Sequence, residues 1–247
     1  MKTFAAIWAA ISLALIAAPT EAASCRDILF EEISFAVCEA DPATETVRLF
    51  LNDAEGKPLG TFENVEARLK AEGQTLAFAV NGGMYHPDRR PVGLYVEDGQ
   101  AISRIVTREG PGNFGLLPNG VLCLTDNSAR VIESREFDRM SPNCRYATQS
   151  GPMLVIEGEL HPRFLPNSSS RFVRNGIGVS SEGTLISAIS NQPVNFHQFA
   201  RLFREVLKTP NALFIDGKVS RIYAPEMNRH DFGFPMGAIL GVVVPTD

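Results

Sequence analysis

The amino-acid sequence predicts an α+β fold, a mixed or antiparallel sheet built from many hairpins with a few packed helices. Two observations carry that prediction. Short apolar or alternating runs recur along the chain, each closed by turn residues. Only two segments repeat their apolar residues at helical spacing.

Taken in order, residues 33–39 and 46–52 read as strands, with Asp41-Pro42 between them. Residues 76–82 are rich in strand formers and end in glycines. Residues 92–102 have the form of a hairpin turning at Asp98-Gly99, a pair that tolerates the left-handed backbone of a two-residue turn. The same logic places turns at Asn119-Gly120 within 114–124, at Glu157-Gly158 within 152–161 and at Glu182-Gly183 within 177–190. Residues 212–216, 219–223 and 238–244 supply the last strands. The first helix is expected over 61–73, with Phe62, Val65 and Leu69 on one stripe and a stop at Gly73. The second is expected over 195–210. Its apolar face is Phe196, Phe199, Ala200, Phe203, Val206 and Leu207, which reads as core and not as a cofactor box. Asn195 caps it, Gln198 occupies the capping-box position and Pro210 ends it.

The first residues predict export. Lys2 is the only charge before Glu21, and an apolar stretch with an Ala-rich end lies between them. That is the form of a leader over residues 1–23, with cleavage between 22 and 25. The apolar run is shorter than the ~20 residues a bilayer crossing needs, which favours a cleaved leader over an anchor. A lipoprotein signal at Cys25 fits less well, because Ala22 stands where Leu is usual. Residues 24–247 are then one domain, periplasmic or secreted, with no stable membrane insertion after cleavage. Losing Lys2 and Glu21, one charge of each sign, leaves the net charge at -5. A mildly acidic chain has no electrostatic footprint for nucleic acid. A hydrophobic content of 45% supports a sizeable core. The four cysteines suggest disulfides in an exported chain. Three pairings are open, and the short loops favour Cys25–Cys38 and Cys123–Cys144.

Several residue groups offer chemistry. Asn81-Gly82-Gly83 closes an apolar strand, where adjacent glycines let the backbone take positive φ and aim its amides into a concave space. A plain tight turn is the other reading. Asp216-Gly217 follows the apolar run 212–215, which suits a carboxylate facing a cleft, although Asp-Gly is also a common hairpin turn. Arg171 and Arg174 precede a strand, and arginine offers fixed, two-pronged geometry toward phosphate. His86 with Asp88, His161, and His230 with Asp231 are scattered, with no metal-site spacing, so no metal is expected. Ser150 lacks the Gly-flanked elbow of a hydrolase nucleophile. There is no glycine-rich dinucleotide fingerprint and no P-loop, so no cofactor is expected.

Four segments in order, residues 80–99, 148–155, 174–185 and 212–225, together resemble the phosphodiester glycosidase family, in a bacterial periplasmic branch. That family includes the uncovering enzyme, which removes N-acetylglucosamine from a phosphodiester on lysosomal enzyme glycans. The resemblance spans about residues 45–244. Asn81-Gly82-Gly83 matches one family motif, with Met84-Tyr85 where two aromatics are common. Arg174, Ile177 and Gly178 match a second, and Ile215-Asp216-Gly217 opens a third. Lys218-Val219 stands where further glycines are expected, and Ser220 returns to the pattern.

The resemblance implies hydrolysis of a sugar-1-phosphodiester on an envelope or extracellular glycoconjugate. Arg174 and the Asn81-Gly82-Gly83 amides would hold the phosphate, and Asp216 would answer positive charge on the sugar. Tyr85, His86, Asp88, Arg171 and Gly217 are further substrate-binding candidates. It also implies that the strands ending at Asn81 and Ile215 lie close together and line one cleft. Two other classes fit the same residues. One is a glycan-binding envelope protein without turnover, and the other is a metal-dependent phosphodiesterase that cuts the phosphorus–oxygen bond.

Overall fold

The computed structural model describes residues 23–246. The expected leader, apart from Ala23, lies outside the described residues. The elements in chain order begin with β1 (Ser24–Phe30), β2 (Ile33–Ala40), β3 (Thr46–Phe50), α1 (Phe62–Ala71) and β4 (Gln74–Asn81). There follow β5 (Tyr95–Glu97), β6 (Gln100–Ser103), β7 (Gly120–Leu124), β8 (Ala129–Glu133), α2 (Ser134–Met140) and β9 (Tyr146–Ser150). Next come β10 (Met153–Ile156), β11 (Glu159–Leu160), β12 (Asn175–Val179), β13 (Leu185–Ser190) and α3 (Phe196–Arg201). The last are β14 (Asn211–Asp216), β15 (Ile222–Ala224), β16 (Arg229–His230) and β17 (Ile239–Pro245).

These strands form three antiparallel sheets. The first has the order β1-β2-β13-β12-β14-β10-β11, the second β16-β15-β4-β17-β3, and the third β6-β5-β9-β7-β8. The fold is therefore α+β with antiparallel sheets, as the sequence predicts. One core joins all three sheets and includes Leu49, Phe78, Leu122, Ile177, Leu213 and Leu240. α3 covers the other face of the first sheet, where Phe199 and Phe203 pack with Phe35, Leu154 and Phe214. β14 is thus buried on both faces, with Leu213 and Ile215 on one and Ala212 and Phe214 on the other. That is why residues 212–215 form an unbroken apolar run rather than an alternating one. α1 packs Phe62, Val65 and Leu69 against Phe50, Leu76 and Ile239 of the second sheet.

Both disulfides form as the short loops favour. Cys25 and Cys38 are directly opposed across β1 and β2, and Cys123 of β7 joins Cys144 just before β9. The hairpin turn at Asp98-Gly99 takes positive φ at both residues, as does Glu157-Gly158.

Three expectations differ. Asn119-Gly120 is not a hairpin turn. Asn119 is fully buried and donates to Phe114 O, while Gly120 opens β7, and the turn to β8 falls at Thr125–Ser128. Of the predicted strand 219–223 only residues 222 and 223 are in a strand, β15, which pairs with β4 and β16 rather than β14. Asp216-Gly217 therefore joins two sheets and is not a hairpin turn. The second helix keeps its predicted capping box at Asn195 and Gln198. It then loosens into a π turn over Leu202–Val206. The wider turn rotates the apolar face, so that Leu202 is buried and Val206 is 42% exposed.

Candidate active site

Asn81, the last residue of β4, is fully buried, and its amide joins the first and second sheets. Its Oδ1 accepts from Asn175 Nδ2 at 2.8 Å and from the Arg221 amide at 2.7 Å. Its Nδ2 donates to Val219 O at 2.7 Å and lies 3.4 Å from Asp216 Oδ2. Asn175, at the start of β12, accepts the Asp216 amide at 2.9 Å through Oδ1. The ends of β4, β12 and β14 are thus tied by side chains whose polar atoms are already matched to one another. Such a network fixes position well, because each buried amide left unmatched would cost about 1–3 kcal/mol.

Asp216 closes β14 at this junction. Its Oδ1 accepts the Gly217 amide at 2.6 Å and the Lys218 amide at 2.8 Å. Burial raises its carboxyl above the ordinary value, while those amides pull the other way. Tyr85 lies near enough to feel that charge. Burial first, and Asp216 second, push its phenol up, against Arg89 and Arg221.

Arg174 is 1% exposed. Its Nε donates to Val194 O at 2.9 Å and Nη2 to Ser170 O at 3.0 Å. Its Cζ lies 3.7 Å above the centre of the Phe196 ring, with Phe172 and Phe214 each at 5.4 Å. Among the described residues no carboxylate pairs with it. Burial pushes its guanidinium down to about 10, so it remains charged at neutral pH. An aromatic-lined, carbonyl-held guanidinium without a counter-ion is poised to receive an anion.

Both Asp216 and Arg174 line a cleft of about 760 Å³, a volume within the usual range for small-molecule sites. Arg89 and Lys218 add two more cations to its wall, and Asp216 is its one carboxylate among the described residues. In a chain of net charge -5, that local excess of positive charge favours an anionic ligand. Met84, Phe172, Phe214 and Phe234 supply apolar wall.

The predicted residues fall into two groups. Asp216, Gly217, Arg174, Tyr85 and His86 line the cleft. Asn81, Gly82, Gly83, Asp88 and Arg171 are not part of that lining. Neither Gly82 nor Gly83 takes positive φ, which differs from the expected amide cradle. Their need for glycine is close approach. The Gly82 amide donates to Ala238 O at 2.7 Å, and an added Cβ would lie 2.9 Å from the Ile239 carbonyl carbon. At Gly83 an added Cβ would meet Thr148 Oγ1 at 2.5 Å. Asp88 is exposed and pairs with Arg90 at 2.6 Å, which lowers its carboxyl. Arg171 is exposed and donates to Gln198 Oε1 at the start of α3.

Four contributors escape sequence reasoning. Asn175 looks like a turn residue because Gly176 follows it. Arg89, Lys218 and Phe234 sit in loops without periodicity, and the only signal at Lys218 is that it replaces an expected glycine. Two of the scattered histidines, His161 and His230, have partners away from the cleft. His161 is buried on Phe164, and its Nε2 lies 3.1 Å from Leu117 O. His230 lies 3.0 Å from a Glu63 oxygen. Among the described residues no three His, Cys, Asp or Glu side chains converge on a metal position. No helix among them is long and apolar enough to cross a membrane.

Comparison with known proteins adds sequence and fold likeness. A family profile described as phosphodiester glycosidase matches residues 74–242. The uncharacterized protein YigE of Escherichia coli (strain K12) is 33% identical over 215 residues, covering 86% of this chain and 84% of its own. The catalytic domain of zebrafish N-acetylglucosamine-1-phosphodiester alpha-N-acetylglucosaminidase, auto-inhibited by its pro-peptide, superposes with a TM-score of 0.61. The match is 14% identical and covers 89% of this chain and 81% of that one. A hypothetical protein from Synechocystis superposes at 0.58 with 12% identity, over 90% of this chain and 62% of its own. At those identities the two structures speak for the fold alone.

Proposed function

The chain belongs to the phosphodiester glycosidase family, and from that membership we propose that it hydrolyses a sugar-1-phosphodiester on an envelope or extracellular glycoconjugate. The observation that carries the reading is Arg174, a buried guanidinium in the cleft wall with no carboxylate partner among the described residues. A phosphodiester supplies the missing anion. Both disulfides suit an oxidising compartment, which supports a periplasmic or secreted site of action.

In this reading water attacks the anomeric carbon and the bond from that carbon to the bridging oxygen breaks. The bonding pair leaves with the phosphate, giving a phosphate monoester. The water oxygen stays on the sugar, and the proton it loses passes to solvent. A phosphate monoester leaves readily, so the second carboxylate of an ordinary glycosidase is less necessary. Arg174 holds and neutralises the phosphate. Asp216 faces the sugar side as base, nucleophile or electrostatic stabiliser of the developing cation.

A specific observation supports one other reading. Asp216 Oδ1 is engaged by the Gly217 and Lys218 amides, as in a carboxylate that only shapes its loop. The protein would then bind such ligands without turning them over. Incubation of purified protein with a panel of sugar-1-phosphodiesters separates the readings. Free reducing sugar plus a phosphate monoester, undiminished by chelator, is the expected outcome. Binding without products would favour the non-catalytic reading. A sugar phosphate product, or activity lost in chelator, would mark a metal-dependent phosphodiesterase.

A further inference from the structure

The segment Asp231–Pro235 forms part of the cleft wall, where Phe234 and Pro235 line it. It is anchored at both ends. The Asp231 amide donates to Ile222 O at 3.0 Å, and the Met236 amide donates to Gly60 O at 2.7 Å. Between them Gly233 takes a φ of 139° against the Arg221 guanidinium, where an added Cβ would lie 2.5 Å from Nη2. This anchored segment nonetheless leaves Phe232 and Phe234 86% and 80% exposed. Phe172, which also lines the cleft and packs on Arg174, is 51% exposed.

Phe172 and Phe234 line one cleft together with Met84 and Phe214, so they belong to a shared apolar wall rather than being scattered single residues, and such a wall marks a ligand-binding groove. Their chemistry narrows the occupant. Phenylalanine lacks the hydroxyl or N–H with which tyrosine and tryptophan serve polar groups. Sugar hydroxyls at this edge would find no partner in Phe172 or Phe234. The cleft therefore combines cations, Arg174, Arg89 and Lys218, with an apolar edge that cannot hydrogen-bond.

Resting on the activity proposed above, we infer that the alcohol esterified to the substrate's phosphate is an apolar chain, a lipid-type alcohol that lies against Phe172 and Phe234. The reaction releases reducing sugar and an alkyl phosphate. The same carbon–oxygen bond breaks, and water supplies the same atoms.

The test compares one sugar-1-phosphodiester carrying either a methyl or an octyl alcohol. Calorimetry with methyl phosphate and octyl phosphate, below the micellar concentration, adds a readout independent of turnover. The octyl compound should be preferred by at least about tenfold in kcat/KM and in Kd. Phe234→Ser should bring both ratios toward unity, and its exposed side chain leaves the core untouched. Equal handling of the methyl and octyl diesters would overturn the inference and leave the activity standing. Absence of turnover, with Phe234-dependent preference for octyl phosphate, would overturn the activity and leave the apolar site standing. No turnover and equal phosphate binding would overturn both. Attachment to phosphatidylethanolamine–phosphatidylglycerol vesicles without octyl preference would assign the phenylalanines to membrane docking and also overturn the inference.

Discussion

Asp216 makes a structural contact and carries a chemical role in the proposed function, and substitution by asparagine separates the two. An asparagine Oδ1 still accepts the Gly217 and Lys218 amides, and only the long 3.4 Å contact from Asn81 Nδ2 to the second oxygen is lost, so the loop keeps its form. The charge that would steady a sugar cation is gone. Asp216→Asn should therefore abolish turnover while the circular dichroism and unfolding midpoint stay near those of the parent. Its pH behaviour has a definite sign. Burial holds the folded-state carboxyl above the ordinary 3.8. The folded protein then binds more protons than the unfolded chain between 3.8 and the raised value, so stability falls as pH rises through that window. In Asp216→Asn that slope should flatten. If the proposed activity uses the carboxylate, kcat/KM should fall as pH drops through the same window, with an acid limb above 3.8. Arg174 yields a second test. Arg174→Lys keeps a charge but loses the two-pronged contact. A rate loss of about a hundred- to thousand-fold, or ~2.7–4 kcal/mol, is expected from steady-state kinetics. The thermal stabilisation given by added phosphate should shrink in parallel.

At the scale of elements, the sequence is most informative where one signal acts alone. The capping box of α3 needs only Asn195 and Gln198 at fixed spacing, and it forms as read. The same helix shows where periodicity stops helping. A regular 3.6-residue repeat puts Val206 on the apolar face, but the π turn rotates Leu202 inward and Val206 out. Leu202→Ala should cost about 2–5 kcal/mol in denaturant unfolding, and Val206→Ala should stay within about 0.5 kcal/mol. A reversed order would contradict the altered phase. β9 carries no strand signal in the sequence, for a different reason. Its Thr148, Gln149 and Ser150 are polar yet buried, because side chains there replace backbone partners. Gln149 Oε1 accepts the Leu94 and Val106 amides, each at 3.0 Å, and Nε2 donates to Val106 O and Ser134 Oγ. No apolar alternation can announce such a strand. α2 is short and charged, and its cap is Glu133, outside the usual set of strong capping residues.

At the scale of the whole molecule, the candidate site depends on contacts that local pattern does not carry. Asn81 meets Asn175 across 94 residues and Arg221 across 140. Asn81 and Asp216 stand out in the sequence because each ends an apolar strand. That they meet at one junction follows from the adjacency of the first and second sheets. Asn175 holds the two ends in register but looks like a turn residue beside Gly176. The exposed Phe234 follows no repeat, and its meaning depends on the cleft it lines. The central claim is that this junction positions a sugar-1-phosphodiester for cleavage on the sugar side of the bridging oxygen, with Arg174 on the phosphate. Hydrolysis in water enriched in oxygen-18, with mass analysis of both products, tests it most directly. The account predicts one heavy oxygen in the released sugar and none in the phosphate monoester. Heavy oxygen in the phosphate product would contradict it.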